Sequence, residues 1–395
     1  MRPTFIPRQT SSRTHWPAIV AIPACNEAVK IEACLSALAM QRDEAGAPVA
    51  AGAFDILIFA NNCSDATVDV VTAFAKLLPH RMMVVEERLA TDRMSAGWAR
   101  KRAMDLAAAC LAERGANGLI LTTDADSCVS PTWFAATIDE FSKGVDCVAG
   151  YIDANPLELV SLGRRFLARG RLEDTYLRLI AEIYARCDHR PHDPWPNHRV
   201  SSGASLAVTL AAYRAIGGLP PLPVGEDSAL TATLERAGFK VRHAMGVSVS
   251  TSCRFDGRAQ GGAADTMRQR HAMPDAPCDD DLEPALAATR RAIYRGRLRA
   301  VLNGSVVPQS PGGGWRIAES DSWNAKPGAA FEDVWRKLCQ DSPSLQRGRP
   351  LRPSDLPRQI AIARLILRHL RLPAGSAKTV PADTPHRAAT LALAV

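Results

Sequence analysis

An apolar run that ends at Leu121 gives way to Thr122, Thr123 and then Asp124, Ala125 and Asp126. Carboxylates at i and i+2 at the end of a strand project to the same side and can share one hard divalent cation, Mn2+ or Mg2+. A cation held by so few protein ligands keeps positions open for phosphate oxygens, so the pair suits a nucleotide diphosphate better than a structural metal. Read alone, the same residues are also an acidic turn ahead of the helix expected over 133–141.

The surrounding pattern says how such a pair would be positioned. Residues 18–38 read as a buried strand, a polar loop with Asn26 and Glu27, and a helix with Ile31, Cys34, Leu35 and Leu38 on its apolar face. A second strand covers 56–59, followed by the polar turn 61–65 and a helix over 67–78; a third strand covers 82–87 and a further helix 95–111. Strands alternating with helices predict a largely parallel sheet covered on both faces, with functional loops at the strands' carboxyl ends. Every polar cluster named above sits at such an end.

The order IPACNEA, NNCSDAT, GWARKRAMDLA, TTDADS, SSGASLAVTLAAYRAIGGLP and VGEDSAL resembles the family-2 glycosyltransferases of the GT-A fold over roughly residues 15–270. The resemblance implies an α/β, Rossmann-like, mostly parallel sheet flanked by helices. It also implies that Ala24 and Glu27 line a nucleobase and ribose pocket, that Arg100 faces a diphosphate with Lys101 beside it, that Asp124 contacts ribose or sugar, and that Asp126 holds the metal. Asp227 would be the base and Glu226 would support the acceptor pocket. The family usually has two aspartates after its second strand where this chain has Ala60 and Asn61. An amide donates as well as accepts, so Asn61 complements a different base edge, and guanosine or another base becomes a candidate beside uridine.

The implied activity is metal-dependent transfer of a sugar from a nucleotide-sugar donor to an acceptor hydroxyl of a sugar, lipid or small molecule, with inversion. Two other readings stay open: a nucleotidyltransferase acting on sugar phosphates, and a non-catalytic nucleotide-sugar-binding protein. Against the former, the loop after the first strand is PACNEA and not a Gly-rich basic phosphate loop.

With 395 residues, 47% hydrophobic and 23% charged, the chain can bury a full core. The start of the sequence lacks the apolar stretch of a signal peptide and no apolar run is long enough to span a bilayer, so the expectation is a cytoplasmic enzyme with no nucleic-acid partner. Ten cysteines without a C-x-x-C pair read as reduced thiols. His189, His192 and His198 lie in a Pro-rich loop whose Trp195 could serve as a sugar platform on the acceptor side. Arg254 and Arg258 beside glycines suit a phosphate-covering segment, and equally a mobile solvated loop.

The expected organisation is a flexible stretch over 1–15, a GT-A domain over 16–273, a basic helical appendage over 274–372 and a flexible tail over 373–395. Within the appendage a helix is expected over 331–338 and another over 354–372, with Ser354 as its cap. That last helix sets Arg364, Arg368 and Arg371 on one face and Ile362, Leu365, Ile366 and Leu370 on another. It could lie on an anionic membrane surface, or dock on the catalytic domain or on a second subunit of a homodimer.

Overall fold

A computed structural model describes residues 4–5, 17–115, 117–257, 262–304 and 330–371. Arg258, most of the N-terminal segment and the tail lie outside the described residues. The chain opens with β1 (Thr4–Phe5), β2 (Ala18–Ala24), α1 (Ile31–Ala39), β3 (Asp55–Asn61), α2 (Thr67–Phe74), β4 (Arg81–Glu87), α3 (Ala96–Glu113) and β5 (Leu119–Thr122). Then come β6 (Ser127–Val129), α4 (Trp133–Ser142), β7 (Cys147–Ala154), α5 (Pro156–Ser161), α6 (Arg164–Cys187), β8 (Leu206–Thr209) and α7 (Leu210–Ala215). It continues with α8 (Glu226–Arg236), β9 (Val241–Thr251), α9 (Ala263–Ala272), α10 (Ala285–Leu302), α11 (Phe331–Asp341) and α12 (Leu356–Leu370).

The α/β architecture expected from the resemblance is present, as one nine-stranded sheet in the order β1-β4-β3-β2-β5-β8-β7-β9-β6. Only its first half is parallel throughout: β4, β3, β2 and β5 pair in parallel, whereas β8 is antiparallel to both β5 and β7, and β6 is antiparallel to β9. β7 and β9 also pair in parallel, so the sheet is a parallel nucleotide-side half joined through antiparallel β8 to a parallel β7–β9 pair. The four-residue turn between β5 and β6 is too short for a helical crossover, and the chain reverses there before β6 joins the far edge beside β9.

Successive residues of the central strands face opposite sides, which explains why β2 and β3 are apolar throughout. Val20, Ile22, Ile56 and Ile58 pack with Leu35 and Leu38 of α1 and Phe134 of α4. Ile19, Ala21, Leu57 and Phe59 pack with Ala103, Met104 and Leu111 of α3. Ser95 caps α3, its Oγ accepting from Trp98 N at 3.3 Å.

A third core is wholly helical. Tyr176, Ile180, Ile183 and Tyr184 of α6 meet Ala285, Ala288 and Ala292 of α10 and Leu356, Ile360, Ala363 and Leu367 of α12. The linker is tied to α6 as well: buried Arg169 donates to the carbonyls of Pro274 and Pro277 at 3.2 and 3.1 Å, and Tyr176 Oη donates to Glu283 O at 2.7 Å. Arg371 pairs with Glu182 of α6. Of the expected apolar stripe Leu365 is exposed, while Ile362, Ile366 and Leu370 pack partly buried beside the fully docked Leu356, Ile360, Ala363 and Leu367. That stripe is packed within the chain. Ser354 does not cap α12, since its N and Oγ both donate to Asp275. All ten cysteines are free thiols. No helix among the described residues is long and apolar enough to cross a membrane.

Candidate active site

The carboxyl ends of β2, β3 and β5 open into a cavity of about 420 Å³. Two loops frame it and are stitched together: Asn26 Oδ1 accepts from Ser64 N at 2.7 Å, and Glu27 N donates to Thr67 Oγ1 at 2.8 Å. Seven residues singled out from the sequence line this cavity, namely Ala24, Glu27, Asn61, Arg100, Asp124, Asp126 and Arg254. The two adjacent asparagines part company. Asn62 is spent on Leu89, donating to its O at 3.1 Å and accepting from its N at 3.0 Å. Asn61 makes no side-chain hydrogen bond to a described residue, so its amide is available to a ligand.

Arg100 differs from its expected role. It is 5% exposed, and four of its donor contacts are already made within the protein. Nε donates to Glu226 Oε1 at 3.0 Å, one terminal nitrogen to Thr122 Oγ1 at 3.2 Å and Gly203 O at 2.9 Å, and the other to Asp124 Oδ1 at 2.7 Å. Burial opposes its charge, but Asp124 and Glu226 outweigh that and hold its pKa above the ordinary guanidinium value. Arg100 thus fixes Asp124 in place and has little left for a diphosphate. Glu226, expected to support an acceptor, is buried as the second counter-ion of Arg100. Gly203 makes this possible: a Cβ there would lie 2.1 Å from Arg100 Cζ. Lys101 points away and pairs with Asp105 at 3.0 Å, because the next residue on a helix is turned by about 100°.

Arg254 bridges Glu27 and Asp126. It makes a two-pronged pair with Glu27, one contact being 2.7 Å, and its Nη2 lies 3.1 Å from Asp126 Oδ2. Burial and the neighbouring Asp124 carboxylate nevertheless push the Asp126 carboxyl up to about 6. The donor set fits a hard divalent cation. Asp124 Oδ2 and Asp126 Oδ1 are oxygens not used by these arginines, and a cation between them would relieve the repulsion that raises Asp126. No group of three or more His, Cys, Asp or Glu among the described residues forms a closed metal site, so such a cation would keep room for phosphate oxygens.

Asp227 does not line this cavity. Its Oδ2 accepts from Gly203 N at 3.0 Å and its Oδ1 from Ser228 N at 2.7 Å, which seats it on the partition formed by 201–203 and the start of α8. Beyond that partition is a second cavity of about 310 Å³, lined by Ser201, Ser228 and Thr231 and by the loop after α6. Trp195 does not reach it; it sits against Arg171 and Arg178 on the outer side of α6. Instead the loop contributes Arg190, Asn197 and Arg199. Asp193 holds the loop, accepting from Arg242 at 3.1 Å, His243 N at 3.0 Å and His243 Nδ1 at 3.1 Å. His198 is spent on backbone, Nε2 to Ala149 O and Nδ1 from Val200 N.

Sequence reasoning missed Arg199 and the wall that α9 adds to the first cavity through Ala263, Ala264 and Met267. An arginine in a loop carries no spacing signal, and only the fold shows which of its neighbours are already paired.

Residues 19–191 match the family model described as glycosyl transferase family 2. No curated protein matches the chain. Among solved structures, the mannosyltransferase PcManGT from Pyrobaculum calidifontis in complex with GDP-Man and Mn2+ is 16% identical with a TM-score of 0.42, covering 89% of this chain and 87% of that one. S. aureus TarS 1-349 in complex with UDP is 12% identical with a TM-score of 0.40, covering 82% and 79%. Glucosyl-3-phosphoglycerate synthase from Mycobacterium tuberculosis, in complex with Mn2+, UDP and phosphoglyceric acid, is 15% identical with a TM-score of 0.38, covering 75% and 81%. The chain is a glycosyltransferase carrying a family 2 domain over residues 19–191, and that domain supplies Glu27, Asn61, Arg100, Asp124 and Asp126 to the first cavity.

Proposed function

We propose that the protein transfers a sugar from a nucleotide-sugar donor to an acceptor hydroxyl, with a divalent cation and with inversion at the sugar carbon. One observation carries the reading: Asp124, Asp126 and the unspent amide of Asn61 line a single cavity at the ends of parallel strands. Asn61 reads the base, Ala24 lets it approach the strand end, and Asp124, held by Arg100, orients ribose or sugar. Mn2+ or Mg2+ on Asp126 and Asp124 would neutralise the diphosphate leaving group. Arg254 is the mobile cation of the site, able to leave Asp126 for a phosphate oxygen while it keeps Glu27. Asp227, on the partition, takes the proton from the attacking hydroxyl, and its two backbone hydrogen bonds fix the direction in which it accepts.

The test is a thermal-shift panel of UDP, GDP, TDP and CDP with and without Mn2+, followed by product detection with the sugar form of whichever nucleotide stabilises most. A nucleotide shift that depends on Mn2+ and vanishes in Asp126→Ala is expected. No shift with any nucleotide, or one unaltered in Asp126→Ala, would remove the donor assignment.

A further inference from the structure

The second cavity holds several charged groups, and all but one are neutralised in place. Arg190 pairs with Asp193 and with Glu235 at 2.6 Å, Arg295 with Asp188 at 3.2 Å and Glu332 at 2.9 Å, and Arg347 with Asp281 at 2.8 Å. Arg199 is the exception. Its guanidinium carbon lies over the Tyr184 ring, 3.4 Å from the centroid, and the group makes no hydrogen bond or ion pair with a described residue. Tyr184 is itself fixed by donating to Glu283 Oε1 at 2.9 Å. This leaves the N–H groups of the guanidinium unused. Burial is the largest influence and pushes its pKa down; Arg295 and Arg190 push the same way, while Tyr184 and the Asp281 carboxylate oppose them without reversing the shift. A desolvated cation with no counter-ion is costly, and a fold that retains one supplies a place for an anion.

A second unspent group sits in the same wall. Asn197 is buried, its Nδ2 donates to Asp193 O at 3.1 Å, and its Oδ1 has no partner. One face of the cavity therefore offers a fork of donors for an oxyanion, with the sealed Asn197 Oδ1 behind it. Ser201 and Ser228, the latter next to Asp227, also line this cavity.

We propose that the second cavity is the acceptor site and that the acceptor is a small hydroxylated molecule bearing a phosphate or carboxylate, whose oxyanion lies in the fork of Arg199. This rests on the transfer reading above, which places the donor on the other side of the partition. Arg199 holds the acceptor's charge, and the hydroxyl that reacts lies on the side of Ser228, the residue next to Asp227.

The test is calorimetry on the full chain, with the first cavity already saturated by the nucleotide and Mn2+ chosen from the panel. Inorganic phosphate, glycerol 1-phosphate, propionate, glycerate and glycerol are then titrated in turn. Phosphate or glycerol 1-phosphate, or else propionate or glycerate, is expected to bind with one site per chain, and whichever pair binds identifies the anion. Arg199→Met should weaken that binding at least tenfold, Arg199→Lys should recover part of it, and both should leave nucleotide affinity within twofold. The hydroxylated member of the pair should bind more tightly than its bare anion; equal affinity would make this an anion site and overturn the acceptor assignment. No binding once the nucleotide is in place, or binding unchanged in Arg199→Met, would overturn the site itself. The nucleotide titration that precedes each run keeps the two failures apart: a chain that binds no nucleotide loses the donor reading, while Arg199 is still judged by the anion titrations run without it.

Discussion

The two cavities flank one short stretch of chain, residues 201–203, and treat their arginines in opposite ways. In the first, Arg100 and Arg254 are both neutralised by carboxylates, and the strained group is an acid, Asp126, raised to about 6. In the second, the acids are all paired, and the unpaired group is a base, Arg199. The difference teaches what each cavity lacks. The first lacks a cation and would take up an anion with it; the second lacks an anion alone. A metal-bridged diphosphate and an acidic acceptor would complete both.

That comparison can be broken at the partition first. Asp227→Asn keeps the shape and the backbone contacts but cannot take a proton, so transfer should fall by about 10²–10⁴-fold while nucleotide affinity stays put. Product formation under saturating donor measures it, and near-parental rates would leave Asp227 with only its structural contacts to Gly203 and Ser228.

The arginines give the next contrast. Arg100→Met strands Asp124 and Glu226 and should cost about 3–5 kcal/mol in denaturant unfolding. Arg199→Met strands nothing, and without added anions it should leave stability unchanged or raise it. Equal losses in the two variants would mean that Arg199 has a counter-ion within the fold.

A smaller effect separates the acids by pH. The Asp126 carboxyl is raised when folded, from an unfolded value near 4. Its neutral form therefore favours the folded state below about pH 4, and that contribution is lost as pH rises through 6. Metal-free Asp126→Asn should gain up to about 3 kcal/mol over the parent at pH 8, less whatever the Arg254 contact contributes, and the gain should shrink toward pH 4. The difference between the two proteins is the quantity to follow. His80 and His198 are lowered by burial to about 4 and act the opposite way in both, favouring the fold above pH 6.5 and losing that as pH falls through 4. With Mn2+ present the sense reverses for Asp126, and metal-supported nucleotide binding should weaken below pH 6. The smallest effect is at Asn61: Asn61→Asp should change the ratio of GDP to UDP affinity by about tenfold, or 1.4 kcal/mol, the worth of one hydrogen bond.

What the sequence disclosed of this site follows from strand geometry. Asp124, Asp126, Glu27 and Asn61 lie at the ends of buried strands, where alternation and turn chemistry fix the direction of a side chain before any tertiary contact forms. Arg100 was found but given the wrong partners, since the choice between a diphosphate and Glu226 depends on how close α8 comes to α3. Arg199 was invisible for a related reason. An unpaired arginine is defined by what its neighbours do, and those neighbours come from α8, α10, α11 and the segment around residue 347. The parallel half of the sheet was legible from strand and helix alternation; β6 was not, because the four-residue turn before it carries no helix to announce direction, and β8 was not, because α6 and a long irregular loop precede it.

The packing of α6 has a consequence for how the chain is made. The family-matched segment ends at residue 191, just past a helix whose Tyr176, Ile180 and Ile183 share their core with residues that begin at 278 and finish at 370. On the ribosome the sheet can collect its own helices early, while this apolar face must wait for the last described helix before it is shielded. A nascent chain therefore carries a sticky, unfinished surface through most of the synthesis of its second half, and a gene fragment stopped before residue 356 would keep that surface for good, inviting aggregation however well its nucleotide-side strands had folded.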